Sequence, residues 1–394
     1  MKLAVEGGKP VRSAYLSYTQ HWVDKDDIAG VLGVLKSDWI TQGPKIGELE
    51  KAFKRFVGCK HAFAVSSCTA ALHISVMAAG IRPGDEVITT PMTFAATPNS
   101  VLYAGAKPVF ADIDPKTMNI DPNEIKARVT KKTKAIMPVH YAGQPCDMDE
   151  ILEIAKENNL LVLDDAAHAV GAEYKGRKIG TIGNATSFSL HGAKNITSGE
   201  GGVLTTNDDK IAEAAKLYRS HGINKEARER YGNKAGWFYE MLLLGFNYRI
   251  TDIQAALAIS QLKKLKKFQA LRERYVRIYN KKLSDVPEIV TPYKKADRLH
   301  AWHLYVIQIQ PEMLKVGRDV FMKALRAENI GANVHYIPVY RHPYYTSLGY
   351  AADYPNTERA YERIITLPLF PKMSVTDVED VIEAVRKVVD HYRK

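Results

Sequence analysis

The sequence predicts an α/β fold, with a mainly parallel sheet of seven strands and a smaller α+β domain at the C-terminal end. Between residues 61 and 208, short apolar runs alternate with stretches of helical periodicity. Nearly continuous apolar strands separated by helices are typical of a parallel sheet that is covered on both faces. The seven strands are expected at residues 61–66, 86–90, 107–112, 135–140, 160–164, 186–189 and 202–206.

Helical periodicity predicts amphipathic helices at residues 148–158 and 209–220 and one long helix at 251–284. The long helix begins with a capping-box pattern, in which Gln254 follows Thr251 by three residues. A helix of this length is expected to connect two domains. The elements beyond it are expected to be a loop at 292–301, a strand at 303–309, a helix at 318–329, a strand at 333–339 and a helix at 374–393.

The length and composition are those of an ordinary globular protein. At about 150 residues per domain, a chain of 394 residues contains two or three domains. We expect a large domain of residues 1–265 and a small one of residues 266–394. A content of 46% hydrophobic and 25% charged residues excludes a chain that is largely disordered. No run of about 18 apolar residues occurs, so no membrane span and no membrane partner are expected.

The net charge and the cysteines bear on partners and location. An excess of +11 favours an acidic ligand, a nucleic acid or an anionic surface as partner. The first residues lack the apolar segment of a secretory signal. Cys59, Cys68 and Cys146 form neither a CxxC pair nor a metal-ligand spacing. We therefore expect a cytoplasmic protein with reduced cysteines and no metal site.

Two carboxylates and a histidine, Asp164, Asp165 and His168, lie at the end of the apolar strand predicted at 160–164. Ligands of open parallel sheets bind outside the carboxyl ends of the strands, so a site is expected here. An isolated aspartate at such a position more often caps a helix or closes a loop.

Lys194 follows the strand predicted at 186–189. A lysine beside a buried strand is costly unless it is paired or neutralised, and burial lowers its pKa. A neutral lysine amine is the nucleophile that forms a Schiff base. On spacing alone, a loop lysine that faces water is slightly favoured.

The segment from Ser66 to His73 follows a strand and opens a helix. Small residues at a helix N-terminus can bind a phosphate through their N–H groups and the helix dipole. Plain N-capping by Ser67 or Thr69 is an equal alternative. No GxGxxG and no GxxxxGK pattern occurs, which argues against a dinucleotide site and a P-loop.

Together, a phosphate cradle, a strand-end aspartate and a lysine on a later strand form the arrangement expected for pyridoxal 5′-phosphate (PLP). This cofactor needs its phosphate anchored, a carboxylate that keeps the pyridine nitrogen protonated, and a lysine that holds its aldehyde.

At these positions the sequence resembles the DegT/StrS-type nucleotide-sugar aminotransferases, which are PLP enzymes of fold type I. The resemblance runs nearly end to end, and many motifs in the right order are more specific than any one of them. Within the family, the chain is most similar to the 4-aminotransferases that act on UDP-linked 4-keto sugars in the pseudaminic acid or 4-amino-4-deoxy-arabinose pathways. The matching segments are 39–44, 65–72, 91–97, 165–168, 194–197, 245–249, 335–338 and 367–371.

The resemblance implies roles for four residues around the cofactor ring. Lys194 matches the lysine that holds the cofactor and moves protons, and Asp165 matches the partner of the pyridine nitrogen. His168 matches the residue next to the ring oxygen, where many members have glutamine. Phe94 matches the aromatic residue that stacks on the ring.

The resemblance also implies contacts to the phosphate and the sugar. Cys68, Thr69 and Ser189 match phosphate contacts, and Asn247 matches an asparagine that reaches the phosphate from the other subunit of a homodimer. Three further residues lie where members of the family approach the sugar: Thr41, His335 and Tyr336.

The implied reaction moves an amino group from glutamate to a nucleotide-linked keto sugar, with C4 of a UDP-4-keto-6-deoxy sugar as the expected acceptor and 2-oxoglutarate as the by-product. Dehydratase relatives carry histidine at the position of Lys194, so aminotransfer is favoured. Amination at C3 of a dTDP-keto sugar and amination of a cyclitol stay open, as does, more remotely, a non-catalytic regulatory protein on the same fold. A nucleic-acid partner is not expected, because the charge is then explained by phosphate-bearing ligands and a solvated surface.

Two histidines, His300 and His303, flank Trp302. No third ligand lies at a useful spacing, which argues against a metal pair. A surface turn, an interface or a contact with the nucleotide is the favoured interpretation.

Overall fold

The structure is a computed structural model that describes residues 2–224 and 238–394. In chain order, the strands are β1 (His61–Val65), β2 (Glu86–Thr89), β3 (Lys107–Phe110), β4 (Thr133–Met137), β5 (Leu161–Asp165), β6 (Glu173–Tyr174), β7 (Arg177–Lys178), β8 (Ala185–Ser189), β9 (Gly202–Thr206), β10 (Ile289–Val290), β11 (Arg298–Leu299), β12 (Tyr305–Ile309) and β13 (Ile364–Leu367). The α-helices are α1 (Lys25–Leu35), α2 (Pro44–Val57), α3 (Cys68–Ala78), α4 (Ala96–Tyr103), α5 (Pro122–Ala127), α6 (Met148–Glu157), α7 (Asp209–Arg219), α8 (Asp252–Leu283), α9 (Arg318–Ala327), α10 (Pro343–Ser347), α11 (Pro355–Tyr361) and α12 (Val375–Tyr392).

The main sheet has seven strands in the order β1-β9-β8-β5-β4-β2-β3. The pairs from β3 through β2, β4 and β5 to β8 are parallel, whereas β9 runs antiparallel to both β8 and β1. All seven predicted strands are therefore confirmed, as is the mainly parallel α/β fold. Two smaller sheets have the orders β10-β12-β13 and β11-β6-β7.

Neighbouring residues of the central strands enter two different hydrophobic clusters. Ile88 and Val162 belong to the cluster that contains residues of α2 and α6, whereas Val87 and Leu163 belong to the cluster that contains residues of α3 and α7. Successive side chains of a strand point to opposite faces, so both faces of the sheet are covered by helices. This two-sided burial explains why the strands are nearly continuous apolar runs.

Helix α8 passes from the core of the main sheet to the C-terminal core. It has 32 residues and begins with the predicted capping box, in which the side chains of Thr251 and Gln254 each bond to the backbone of the other residue. Leu265 packs in the cluster of the main sheet, and Tyr279 packs in the C-terminal cluster. The expected boundary at residue 265 falls within this helix, and the division into two domains stays a prediction.

The guanidinium group of Arg272 is buried at the middle of α8. Its Nη1 donates to the carbonyl oxygens of Trp302 at 3.0 Å, His303 at 3.1 Å and Leu369 at 2.8 Å. Burial lowers the pKa of Arg272 to about 9. Three carbonyl acceptors from two separate segments are thereby held against one side chain of the helix.

The prediction of a strand at residues 333–339 is wrong. Asn333 forms only an isolated bridge with Thr366, and the segment continues as irregular backbone into a 3-10 turn at Val339–Arg341. The reason is that side chains take the place of a neighbouring strand. Tyr141 donates its hydroxyl to the carbonyl of His335, and Thr366 hydrogen-bonds the His335 ring.

The loop predicted at 292–301 contains the short strand β11, which pairs with β6. The start of the chain packs in the C-terminal cluster through Leu3 and Leu16. In the described residues, no helix has both the length and the apolar character needed to cross a membrane.

We predict that Arg272→Met lowers the free energy of unfolding by about 3 kcal/mol, because three buried carbonyl groups lose their donor. Urea denaturation followed by circular dichroism measures this change. Arg274→Met is the matched control, since Arg274 lies on the same helix but is exposed, and it should change stability by less than about 0.5 kcal/mol. Equal stability of the two variants would show that Arg272 does not hold the two segments.

Candidate active site

A cavity of about 430 Å³ lies at the carboxyl ends of β5 and β8, beside the N-terminus of α3. This is the position where open parallel sheets bind ligands. Most of the residues predicted from the sequence line it: Cys68, Thr69, Phe94, Asp165, His168, Ser189, Lys194, His335 and Tyr336.

Asp165 is the last residue of β5 and is buried at the base of the cavity. Its Oδ2 accepts a hydrogen bond from Thr97 Oγ1 at 2.6 Å, and its Oδ1 accepts one from the Ala167 N–H at 2.9 Å. Burial raises the pKa of Asp165, while these two hydrogen bonds and the nearby Lys194 lower it. Both carboxylate oxygens are therefore fixed in place.

Asp164 precedes Asp165 on β5 and faces the other side of the sheet. Its Oδ2 accepts from Thr186 Oγ1 at 2.9 Å, and its buried Oδ1 has no hydrogen-bond partner among the described residues. Burial raises the pKa of Asp164 to about 7. The alternation of a strand thus separates two adjacent carboxylates, of which only Asp165 reaches the cavity.

Lys194 lies in the loop that follows β8, where its backbone N–H donates to the carbonyl of His191 at 3.0 Å. Its half-buried side chain lines the cavity together with Asp165. Burial lowers the pKa of Lys194 to about 8, against the opposing influence of Cys68 and Asp165. An appreciable fraction of the amine is neutral near physiological pH, as a nucleophile requires.

The N-terminus of α3 presents N–H groups to the cavity. Ser67 is the N-cap, and its side chain and carbonyl accept from the N–H groups of Ala70 and Ala71, both at 3.1 Å. Cys68 and Thr69 are the first two helical residues, whose N–H groups have no partner within the helix. An anion suits this end of the helix.

Glycine is required where β9 begins beside this helix end. A Cβ on Gly202 would lie 2.5 Å from the carbonyl oxygen of Ser67 and 2.7 Å from the nitrogen of Cys68. The absence of a side chain at Gly202 lets the strand approach the turn that carries Cys68 and Thr69.

A cluster of histidine and tyrosine side chains forms another wall. The hydroxyl of Tyr336 lies 2.9 Å from His168 Nε2, and the rings of His168 and His303 are 4.4 Å apart between centroids. His335 Nδ1 lies 2.8 Å from Thr366 Oγ1. Burial lowers the pKa of all three histidines, to about 3 for His335, so the rings are neutral.

Two predicted residues lie elsewhere. Thr41 and Asn247 are exposed and do not line the cavity of their own chain. The carbonyl of Thr41 accepts from the N–H of Asp252 at 2.7 Å. Asn247 forms an isolated bridge with Ser220.

The surface-turn interpretation of residues 300–303 is wrong. His300, Trp302 and His303 are all buried, and His303 lines the cavity. His300 stacks on Trp302 with 3.8 Å between ring centroids. The signal that could have found His303 is the pair of histidines in an apolar run that leads directly into β12.

Sequence reasoning also missed Thr97, which lies in the first turn of α4 and donates to Asp165. A buried threonine in a helix gives no signal of its own, because the contact joins residues 68 positions apart. In the part of the chain that the structure describes, no group of three or more histidine, cysteine or acidic side chains is arranged to hold a metal ion.

The residues around the cavity fit the chemistry of PLP. The free N–H groups at the start of α3 suit a phosphate, the fixed carboxylate of Asp165 suits a protonated ring nitrogen, and the amine of Lys194 suits an aldehyde. The exposed ring of Phe94 supplies an aromatic surface on the cavity wall.

Residues 22–386 match the model of the DegT/DnrJ/EryC1/StrS aminotransferase family. The chain belongs to this family. A relative in Bacillus subtilis, the spore coat polysaccharide biosynthesis protein SpsC, is 48% identical over 96% of this chain and 98% of its own length.

Solved structures agree with the assignment. Helicobacter pylori PseC, an aminotransferase involved in the biosynthesis of pseudaminic acid, superposes on this aminotransferase with a TM-score of 0.90 and 32% identity, over 96% of this chain and 100% of that chain. The sugar aminotransferase Spr1654 of Streptococcus pneumoniae, 29% identical, has TM-scores of 0.90 in its PMP form and 0.89 in its PLP form, over at least 95% of each chain. The predicted fold type and aminotransferase class are confirmed, and the two forms of Spr1654 agree with the predicted cofactor.

We predict that the cofactor-free aminotransferase reacts covalently with PLP at a rate that rises about tenfold per pH unit below pH 8 and levels off above it. The reason is that only the neutral amine of Lys194 attacks the aldehyde, and its pKa is lowered to about 8. Stopped-flow absorbance measures the rate, with Lys194→Arg as the unreactive control. A midpoint near pH 10, as for an exposed lysine, would contradict the lowered pKa.

We predict that Asp164→Asn stabilises the cofactor-free protein at pH 8.5 and that this gain shrinks toward pH 5. Because the folded-state pKa of Asp164 is about 7, above its value in the unfolded chain, the wild-type protein loses stability as the pH rises from about 4 to about 7. Urea denaturation at several pH values measures the difference. Asp353→Asn, at an exposed position, is the control for the loss of one acidic group, and a pH-independent difference for Asp164→Asn would refute the raised pKa.

Proposed function

We propose that this aminotransferase moves the amino group of glutamate to a nucleotide-linked keto sugar, with C4 of a UDP-4-keto-6-deoxy sugar as the acceptor. The observation that carries the proposal is the presence of Lys194 and Asp165 in one cavity beside a helix N-terminus suited to a phosphate. PLP is the cofactor that these three features would hold.

Bound PLP supplies the electron sink that stabilises charge at the carbon of the donor when its proton leaves. Asp165 would keep the ring nitrogen protonated through its fixed carboxylate, which would make the sink effective. Lys194 Nζ would take the proton from Cα of glutamate and pass it to the cofactor, and in the second half-reaction it would return that proton to the sugar carbon that receives the nitrogen.

The other cavity residues bind and orient. Cys68, Thr69 and Ser189 would hold the phosphate of the cofactor, and Phe94 would stack on its ring. Burial raises the pKa of Cys68, so it acts as a neutral thiol. His168 would contact the ring oxygen while it hydrogen-bonds Tyr336.

The wall formed by His335 and Tyr336 supports a sugar as the acceptor. A phenol hydroxyl and neutral imidazoles can donate to and accept from hydroxyl groups without adding charge to the cavity. The relation to PseC and SpsC supports a nucleotide-linked sugar, because both carry names that place them in the biosynthesis of sugars or polysaccharides. Thr41 would reach the sugar only from a partner subunit or after a local movement.

A homodimer with shared active sites would explain the position of Asn247. This residue is exposed outside its own cavity and follows a segment with three large exposed apolar side chains: Met241 at 66%, Leu242 at 59% and Leu244 at 78% exposure. A second copy that covers this apolar segment would carry Asn247 toward the phosphate of its neighbour. We place the enzyme in the cytoplasm, where nucleotide sugars are made and the three free cysteines stay reduced.

We predict that Lys194→Ala lowers turnover by at least about 10³-fold, because it removes both the nucleophile and the acid/base. The assay uses glutamate and a panel of UDP- and dTDP-linked 3- and 4-keto sugars and a keto-cyclitol, with the amino product identified by mass spectrometry. Lys210→Ala, which removes an exposed lysine of α7, should retain full turnover.

The wild-type protein should also show long-wavelength absorbance of bound PLP that borohydride bleaches, with the label on Lys194. A Lys194→Ala variant that still transaminates would refute the assignment of the lysine. Preference for a 3-keto sugar or the cyclitol would refute the assignment of the acceptor while leaving aminotransfer in place.

A further inference from the structure

A chain of two buried hydroxyl groups leads to the carboxylate of Asp165. Thr93 Oγ1 lies 2.7 Å from Thr97 Oγ1, which in turn lies 2.6 Å from Asp165 Oδ2. The exposed fractions of Thr93, Thr97 and Asp165 are 2%, 0% and 4%. The three side chains are therefore shielded from competing water on the protein side of the cavity.

The direction of these hydrogen bonds follows from the number of protons. The hydroxyl of Thr97 has a single proton, and a carboxylate can only accept, so Thr97 donates to Asp165. Thr97 Oγ1 must then accept a hydrogen bond from the hydroxyl of Thr93. A proton on Oδ2 would let the carboxyl group donate to Thr97 Oγ1 and would reverse the chain, so only the ionised form of Asp165 needs Thr97 as a donor.

We propose that Thr97 is a positioning residue for aminotransfer: its hydroxyl, oriented by Thr93, holds Asp165 in the ionised form that pairs with the ring nitrogen of the cofactor. The inference rests on the proposed function, in which Asp165 faces that nitrogen. Thr97 does not touch the reacting atoms and acts through the carboxylate.

The same short segment also positions the aromatic ring of the site. Phe94 follows Thr93 directly, and its carbonyl accepts from the N–H of Thr97 at 3.2 Å. The turn from Thr93 to Thr97 thereby links the ring that would stack on the cofactor to the groups that orient the carboxylate beneath it.

Other groups near Asp165 also affect its charge, and a pH experiment must hold them constant. The titratable groups that interact electrostatically with Asp165 are Cys68, Cys146, Lys194, Tyr336 and, on the other face of β5, Asp164. Lys194 is the cation among them and opposes the raised pKa that burial gives Asp165. Each of these groups is unchanged in threonine variants, so a pH-dependent difference between such variants reports on the hydroxyl chain.

We predict that Thr97→Val weakens PLP binding to the cofactor-free protein by at least about tenfold at pH 6.5 and by less at pH 8.5. Without the donor, the pKa of Asp165 rises further, and the protonated carboxyl cannot pair with a protonated ring nitrogen. Thr97→Ser keeps the hydroxyl and should bind PLP as the wild type does.

Ser100→Ala is the matched control. Ser100 is buried on the same helix, but its hydroxyl donates to the backbone carbonyl of Thr97 at 2.7 Å and not to the hydroxyl groups of Thr93 and Thr97. Its loss should leave the pH dependence of PLP binding unchanged. If Thr97→Val behaves like Ser100→Ala at both pH values, the proposal is overturned.

A second measurement needs no cofactor. Urea denaturation of the cofactor-free protein should show that the loss of stability in Thr97→Val, relative to Thr97→Ser, grows as the pH rises. The ionised carboxylate needs the donor, whereas the protonated form does not. A loss that is equal at every pH would indicate a purely structural threonine and would overturn the proposal.

A double-mutant cycle tests the order of the chain. Thr93→Val should weaken PLP binding with the same direction of pH dependence as Thr97→Val, but by a smaller factor. The double variant should bind PLP as Thr97→Val does, since Thr93 acts through Thr97. Additive effects would overturn the assigned direction, and Thr93→Val serves as the probe if Thr97→Val does not fold.

If wild-type protein forms no adduct with PLP, the proposed function fails, while the cofactor-free stability series still tests the pairing of Thr97 with Asp165.

Discussion

A carboxylate buried at the end of β5 is the constraint on which the arrangement of the site depends. Removing Asp165 from water is unfavourable unless donors and a cation surround it, and the structure supplies Thr97, the Ala167 N–H and Lys194. Each comes from a different element, so the helix α4, the turn after β5 and the loop after β8 must all converge on one point. Lys194 is thereby placed near the aspartate by the same forces that make the buried charge tolerable.

The histidine and tyrosine side chains in the wall of the cavity are neutral, so they add no charge near the carboxylate of Asp165. Burial lowers the pKa of His168 and His303 and raises that of Tyr336, so none of these groups carries a charge near neutral pH. Charged side chains that line the cavity are Lys194 and Asp165, whose charges influence each other, and Glu200. The end of α3 offers an anion oriented N–H groups in place of a full positive charge.

The wall that carries His303 is held from outside the main sheet. Arg272 on α8 binds the carbonyls of Trp302 and His303 and also that of Leu369. The long helix thus positions part of the cavity wall while it joins two hydrophobic clusters. This connection accounts for the burial of a guanidinium group whose hydrogen bonds, among the described residues, all go to backbone carbonyls.

The sequence by itself determined the central sheet and the long helix, since apolar runs and the capping box are local patterns. It selected Asp165 and Lys194 as candidates only through their combination with the segment from Ser66 to His73 and through the resemblance to a family, because each residue alone fits an ordinary loop or cap. The sequence did not show from geometry which of the two aspartates reaches the cavity. The structure does, because Asp164 and Asp165 lie on opposite faces of the sheet at the end of β5. Only the tertiary structure turned residues 333–339 from an expected strand into irregular backbone, because Tyr141 and Thr366 bond to His335 from distant positions. It also decided that His303 and Thr97 belong to the site, since their roles depend on contacts between segments far apart in the chain, and no local pattern encodes such contacts.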